Sequence, residues 1–244
     1  VQLFGKVVFD VDDKKFDKVL ENAKKNQNVD LDSELNESSL RDMVSQYMKI
    51  CEEHTGRPFP SNPDEQLELA IKAVFNSWMG ERALVYREKN NITKDIADGT
   101  AVNVVTMAFG NMGNDSSTGV IFTRNPGDGA NKIFGEYLIN AQGEDVVAGI
   151  RTPKQVDEMK KEIPETYNQL LKTCSKLEKH YREPQDIEFT VEQGRFYLLQ
   201  TRSAKMNAVS MVKTSVDMVK EKLITKDRAL LRLQAEQLEQ LLHK

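Results

Sequence analysis

The sequence predicts an α+β protein, and three observations support that class. Apolar residues recur at every third or fourth position across 16–23, 40–51, 67–78 and 156–181, and again from 209 onward, the spacing of helices with one buried face. Between Thr100 and Gly149 the period shortens to β-type runs separated by Gly, Asn, Asp and Pro. Two further alternating runs, Asp186 to Val191 and Phe196 to Thr201, flank a glycine and read as a β-hairpin.

The elements follow in order. Leu3 to Val11 is rich in β-formers, and Phe16, Val19, Leu20 and Ala23 then mark a helix. After a polar passage, Leu40, Met43, Val44, Tyr47, Met48 and Cys51 share one helical face. Gly56, Pro58, Pro60 and Pro63 end this first unit, a small helical subdomain over 1–62. Asn62-Pro63-Asp64-Glu65 is a helix start, with Asn62 as cap and Pro63 at the first helical position. The stripe from Leu67 to Trp78 reads as core packing, with Trp78 in the core and not as a stacking platform. Runs at Thr100 to Phe109, Thr118 to Thr123, Ile133 to Asn140 and Asp145 to Gly149 predict short strands. Thr152 to Gln155 reads as a capping box opening a helix with Val156, Met159 and Ile163 on its face. Pro164 interrupts, and Tyr167 to Tyr181 continue on a second helix. Residues 63–204 are thus expected to hold the chemistry. The final stretch, 205–244, reads as a helical linker with a Val209, Val212, Val216, Val219 and Leu223 stripe and a second from Leu230 to Leu242.

Bulk properties limit the function classes. The net charge is −4 with both signs interspersed, which leaves no basic footprint for nucleic acid. No apolar run nears the length of a membrane span, and a cytoplasmic protein is expected. The first residue is Val1, so the sequence reads as a piece of a longer polypeptide. Cys51 and Cys174 match no metal spacing and read as reduced, partly buried thiols.

Strand alternation puts Asp186, Glu188 and Thr190 on one face of the hairpin, and Gln200 and Arg202 on one face of its return strand. Whether the two sets meet depends on the turn. A two-residue turn at Gln193-Gly194 would pair Glu188 with Leu199 and send Gln200 to the opposite side. A three-residue loop, Glu192 to Gly194, would pair Val191 with Arg195 and Asp186 with Gln200, and that loop is the expectation. One face would then hold two carboxylates, an amide oxygen and a guanidinium, a set suited to magnesium and triphosphate. On pattern alone, the same face also reads as the solvated side of an edge hairpin.

Phe122-Thr123-Arg124-Asn125-Pro126, the stretch Gly135-Glu136-Tyr137-Leu138-Ile139-Asn140-Ala141-Gln142-Gly143-Glu144-Asp145-Val146-Val147-Ala148-Gly149, and Arg151-Thr152-Pro153 closely resemble the pyruvate phosphate dikinase family. Asp186-Ile187-Glu188-Phe189 and Leu199-Gln200-Thr201-Arg202 resemble the close of its ATP-grasp domain. The resemblance implies an ATP-grasp fold, magnesium and ATP, and a reaction of ATP, phosphate and pyruvate that yields AMP, pyrophosphate and phosphoenolpyruvate. It implies Glu188 and Gln200 as metal ligands with Asp186 beside them, and Arg202 on the phosphate side. Thr118-Gly119 would lie near the phosphates, though the pair also reads as an ordinary strand start. Glu144, Asp145 and Val146 would border adenine, though Glu144 and Asp145 also read as a solvated turn.

A swivelling phosphohistidine domain and a pyruvate-binding barrel are the implied partners within a longer, homodimeric chain. The family's phosphate loop would precede Val1, so this piece alone is expected to bind ATP poorly and to lack activity. His54, His180 and His243 are surface histidines on this reading. The alternatives are a phosphoenolpyruvate synthase-type dikinase, which uses water in place of phosphate, and a non-catalytic nucleotide-binding module.

Overall fold

The computed structural model describes residues 1–30, 32–148, 151–233 and 241. It divides into two compact units, Val1–Val105 and Thr106–Lys244, and the architecture is a mixture of helices and one antiparallel sheet.

The first unit is helical: α1 (Gln2–Val8), α2 (Asp13–Gln27), α3 (Glu37–Thr55), α4 (Pro63–Ser77) and α5 (Glu81–Lys89). Asp12 caps α2 by accepting from the Lys14 N–H, and Asn36 caps α3 by accepting from Ser39. These bonds satisfy amides that a helix start leaves free. The core gathers Val11, Phe16, Leu35, Met43, Tyr47 and Cys51, so the spacing of α2 and α3 was legible. The opening run was not: Leu3 to Val8 is helical, although it is rich in β-formers. Gly5 explains why, because a Cβ there would lie 2.6 Å from the Phe16 ring and 2.8 Å from the Cys51 sulfur. The close approach of α1 to that core outweighs local propensity.

Asn62 caps α4 as expected. However, no α4 residue is buried, and Phe75 is 51% exposed. Trp78 is half-buried with the Arg87 guanidinium 3.9 Å over its ring, a cation–π contact and not core packing. No strand forms over 100–109, where Val104, Val105 and Met107 are exposed.

The second unit is built on a five-stranded sheet in the order β3-β2-β1-β4-β5: β1 (Ser117–Phe122), β2 (Phe134–Ile139), β3 (Lys154–Gln155), β4 (Gln185–Glu192) and β5 (Arg195–Ser203). Every pairing is antiparallel. Ile121, Tyr137, Ile187, Phe189 and Val191 pack on one side with Val156, Met159, Leu170 and Cys174. The last two belong to α8 (Pro164–Tyr181), and Met159 opens the short α7 (Met159–Glu162). Burial pushes the Cys174 thiol up to about 12, reinforced by the nearby Glu178 charge, so it is a packing group and not a nucleophile.

Gly135 is required by β2. Its φ is +150°, and a Cβ would lie 2.3 Å from the Val120 carbonyl oxygen. Gly135→Ala is expected to cost about 3 kcal/mol through backbone strain and overpacking. Chemical denaturation of the protein measures this, and an unchanged midpoint would contradict the packing described.

Three further expectations are corrected. Asp145 to Gly149 does not form the expected strand: Asp145 to Ala148 belong to a short helix, α6 (Gly143–Ala148), and Gly149 lies outside the described residues. The cap Asp145 supplies, its Oδ2 accepting from the Gln142 N–H at 2.8 Å, favours that helical turn. The capping box lies one turn later than read, with Gln155 and Glu158 as its partners, because Lys154–Gln155 is already engaged as β3. Finally, Val209 and Val216 of α9 (Ala208–Lys220) face outward at 43% and 47% exposure. That helix instead buries Ala208, Ser210, Thr214, Ser215 and Met218. Two of these hydroxyls find acceptors, Ser210 donating to the Pro126 carbonyl at 2.6 Å and Thr214 to the Ser210 carbonyl at 2.7 Å, while the Ser215 hydroxyl is buried without a partner. α10 (Lys226–Leu231) follows, and most of the expected stripe to Leu242 lies outside the described residues.

Candidate functional site

The face of the sheet opposite the α8 core is where the polar residues collect. Register builds it in three rows across β2, β1, β4 and β5. Phe134, Phe122, Asp186 and Arg202 form the first row, and Glu136, Val120, Glu188 and Gln200 form the second. Leu138, Thr118, Thr190 and Tyr197 form the third.

The hairpin reaches this arrangement by a route other than the expected one. Its turn has two residues, Gln193 and Gly194, with φ of +48° and +77°, and it pairs Glu192 with Arg195. Such turns match the right-handed twist of the flanking strands. This one is also tied down, since Gln193 N–H donates to the Ser116 hydroxyl at 2.9 Å and Gly194 N–H to the Asp115 carbonyl at 2.9 Å. Left regular, that turn would have sent Gln200 to the core side. A bulge between Glu188/Phe189 and the partner strand leaves Leu199 unpaired, so Phe189 faces Leu198 while Glu188 faces Gln200. The extra residue flips the parity back. Asp186 therefore pairs with Arg202 and not with Gln200, and all four side chains share one face.

The guanidinium of Arg202 donates from Nε to Asp186 Oδ2 at 2.8 Å, and its Nη2 lies 3.8 Å from Glu188 Oε1. The bond to Asp186 holds the Arg202 pKa above its ordinary value. Asp186 is nearly enclosed, with an 11% exposed side chain, and its Oδ1 is buried with no hydrogen-bond partner. A carboxylate oxygen in that condition is costly unless a cation or donor completes it. Glu188 is open, with a 40% exposed side chain. Among the described residues, no group of three or more His, Cys, Asp or Glu forms a metal cluster. The face instead offers hard oxygens from two carboxylates and an amide, a partial shell that a phosphate-bearing ligand would complete.

The other candidate residues fall around this set. Thr118 is buried on the same face, donating to the Phe189 carbonyl at 3.1 Å and lying 3.2 Å from the Thr190 hydroxyl. Gly119 belongs to the opposite, core side: a Cβ would lie 2.8 Å from the Phe189 ring and 2.6 Å from the Glu136 carbonyl. Packing thus accounts for that glycine. Asp145 and Val146 are half-buried in α6, and the Glu144 side chain lies outside the described residues. His54 and His180 are exposed, as expected of surface histidines; His243 lies outside the described residues.

Two residues were not singled out from sequence. Glu136 shares the Glu188 row across Val120 and accepts from Gln155 Nε2 at 3.1 Å. The Phe134-Glu136-Leu138 alternation held that signal, but the strand pairing that gives it meaning is not local. Arg124 is wholly buried on the other side, gripped by Glu178 and Glu221. Burial opposes its charge, yet the bonds to both carboxylates outweigh burial and raise its pKa.

Among the described residues, no helix is long and apolar enough to cross a membrane. The pattern of the family described as pyruvate phosphate dikinase, AMP/ATP-binding domain, matches residues 15–165 and 156–223. Pyruvate, phosphate dikinase of Entamoeba histolytica is 54% identical over 246 residues, covering 100% of this chain and 28% of its own length. Chloroplastic pyruvate, phosphate dikinase 1 of Zea mays is 49% identical over 243 residues, covering 100% of this chain and 25% of its own. The corresponding chloroplastic enzyme of Arabidopsis thaliana is 48% identical with the same coverage. The chain therefore spans about a quarter of the length of these relatives. With the match of the family pattern over most of its length and the similarity over all of it, this chain belongs to the pyruvate phosphate dikinase AMP/ATP-binding domain family.

Proposed function

We propose that the face of Asp186, Glu188, Gln200 and Arg202 binds the triphosphate of magnesium-ATP. On this reading the chain is the ATP-binding part of a dikinase that converts ATP, phosphate and pyruvate to AMP, pyrophosphate and phosphoenolpyruvate. The observation that carries it is the unpartnered buried Asp186 oxygen beside Glu188 and opposite Arg202. Magnesium, held by Glu188 and Gln200 with Asp186 alongside, would neutralise phosphate oxygens and orient them for transfer.

Arg202 would exchange its Asp186 oxygen for phosphate oxygens, because its planar fork suits both anions. The Thr118-Gly119 backbone would approach the phosphates, and the Glu144, Asp145 and Val146 segment would border adenine. The antiparallel sheet, backed by α8 and accessible at Glu188, Gln200 and Arg202 on its polar side, supports an ATP-grasp reading. A phosphohistidine domain and a pyruvate-binding barrel of the same polypeptide would complete the reaction in a homodimer. This 244-residue chain, about a quarter of the length of those relatives, is expected to be inactive alone.

The test is AMP formation by the full-length protein from magnesium-ATP and pyruvate, with and without phosphate. Phosphate-dependent AMP and pyrophosphate are expected. Equal AMP without phosphate would replace this reading with the water-using dikinase, and no AMP under either condition would favour a non-catalytic module.

A further inference from the structure

Behind the polar face, a chain of hydrogen bonds connects the hairpin to the end of α9. Thr201 lies between Gln200 and Arg202, with its side chain on the other side of β5, where its hydroxyl donates to Gln185 Oε1 at 2.9 Å. Gln185 immediately precedes Asp186 and is 1% exposed. Its N–H donates to the Thr123 hydroxyl at 2.9 Å, and that hydroxyl donates to Glu178 Oε1 at 2.7 Å. Glu178 also accepts from Arg124 Nε at 2.9 Å and Nη2 at 3.0 Å. The rest of the Arg124 fork reaches Glu221, the residue closing α9, at 3.1 and 2.5 Å, and Asn131 Nδ2 donates to the same carboxylate at 2.9 Å.

Most of this chain is buried, and each buried member is satisfied by the next, an arrangement in which bonds strengthen one another. It also acts where support is needed. β5 is an edge strand, interrupted by the Leu199 bulge, and its Gln200 and Arg202 are exposed. The Thr201 bond anchors that strand beyond the bulge, between the two residues that must face Glu188 and Asp186.

We propose that Thr201, Gln185 and Glu221 are positioning residues that hold the hairpin's polar face in register for a metal–nucleotide and couple that register to the end of α9. The proposal rests on the reading of that face as the metal–nucleotide site. Partners that orient ligand-bearing elements from behind commonly govern metal affinity.

The test is Mn2+ binding to the full-length protein by water-proton relaxation, with a non-hydrolysable ATP analogue present, alongside thermal unfolding. Thr201→Val, which keeps the shape and removes the hydroxyl, is expected to weaken nucleotide-dependent Mn2+ binding about tenfold. Thr201→Ser is expected to restore it. Glu221→Gln, at a partly exposed position, is expected to weaken binding in the same direction by less, with its unfolding temperature close to that of the unaltered protein. Glu188→Ala separates the two readings. If Glu188→Ala loses the Mn2+ site while Thr201→Val and Glu221→Gln keep unaltered affinity, the positioning proposal is overturned and the site reading stands. If Glu188→Ala retains full Mn2+ affinity, the site reading fails and the positioning proposal fails with it.

Discussion

Arg124→Met is expected to destabilise the protein by about 3–5 kcal/mol, the usual cost of breaking a buried ion pair from one side. The guanidinium is 0% exposed and makes four hydrogen bonds to two carboxylates. Methionine fills much of the volume but leaves Glu178, itself 8% exposed, with a buried charge and one remaining side-chain donor, Thr123. For a unit of this size the loss corresponds to a fall in unfolding temperature on the order of 10 °C. Combining Arg124→Met with Glu178→Leu is expected to recover a substantial part of that loss, because the second change removes the stranded charge. Thermal unfolding of the single and double variants checks both. A double variant no more stable than the single would mean that the charge is not the source of the cost.

Arg202→Met is expected to lower AMP formation by the full-length protein by about 100–1,000-fold, the scale seen when one preorganised donor to developing charge is lost. Its unfolding temperature should fall by less than that of Arg124→Met, since the Arg202 side chain is 57% exposed, although Asp186, 11% exposed, loses the donor to its Oδ2. Arg202→Lys should recover little, because an ammonium cannot reproduce the two-pronged contact to phosphate. Steady-state rates at saturating ATP provide the measurement. Near-native activity in Arg202→Met would remove this residue from the phosphate side.

These expectations draw unequally on what the sequence makes legible. Strand boundaries and faces of the hairpin were legible because the period-two alternation from Asp186 to Val191 is strong and local. Its pairing was not. A three-residue loop would place Gln200 opposite Asp186; the two-residue turn with the Leu199 bulge places Arg202 there. The difference is a slip of two residues, and a slip of two preserves the face. The set of side chains was thus recovered although the register was not. Nothing local announces the bulge at Leu199, and the turn that precedes it is tied to Asp115 and Ser116, nearly eighty residues earlier.

The remaining misreadings have the same origin. Leu3 to Val8 has β-type residues but packs as a helix through Gly5, and α9 turns Ser210 and Thr214 inward, where carbonyls accept their hydroxyls. Being apolar, the valine stripe and Trp78 point inward by sequence pattern, although apolar residues are common on protein surfaces. The resemblance implies Glu144, Asp145 and Val146 beside adenine, and the helical conformation of Asp145 and Val146 replaces the expected strand.

The most direct test of the proposed metal–nucleotide face is calorimetric titration of ATP into the full-length protein, with magnesium and with a chelator, for the unaltered protein and Glu188→Ala. The expected result is binding that strengthens with magnesium in the unaltered protein and no longer responds to magnesium in Glu188→Ala, at an unchanged unfolding temperature. An equal magnesium response in both proteins would contradict the account.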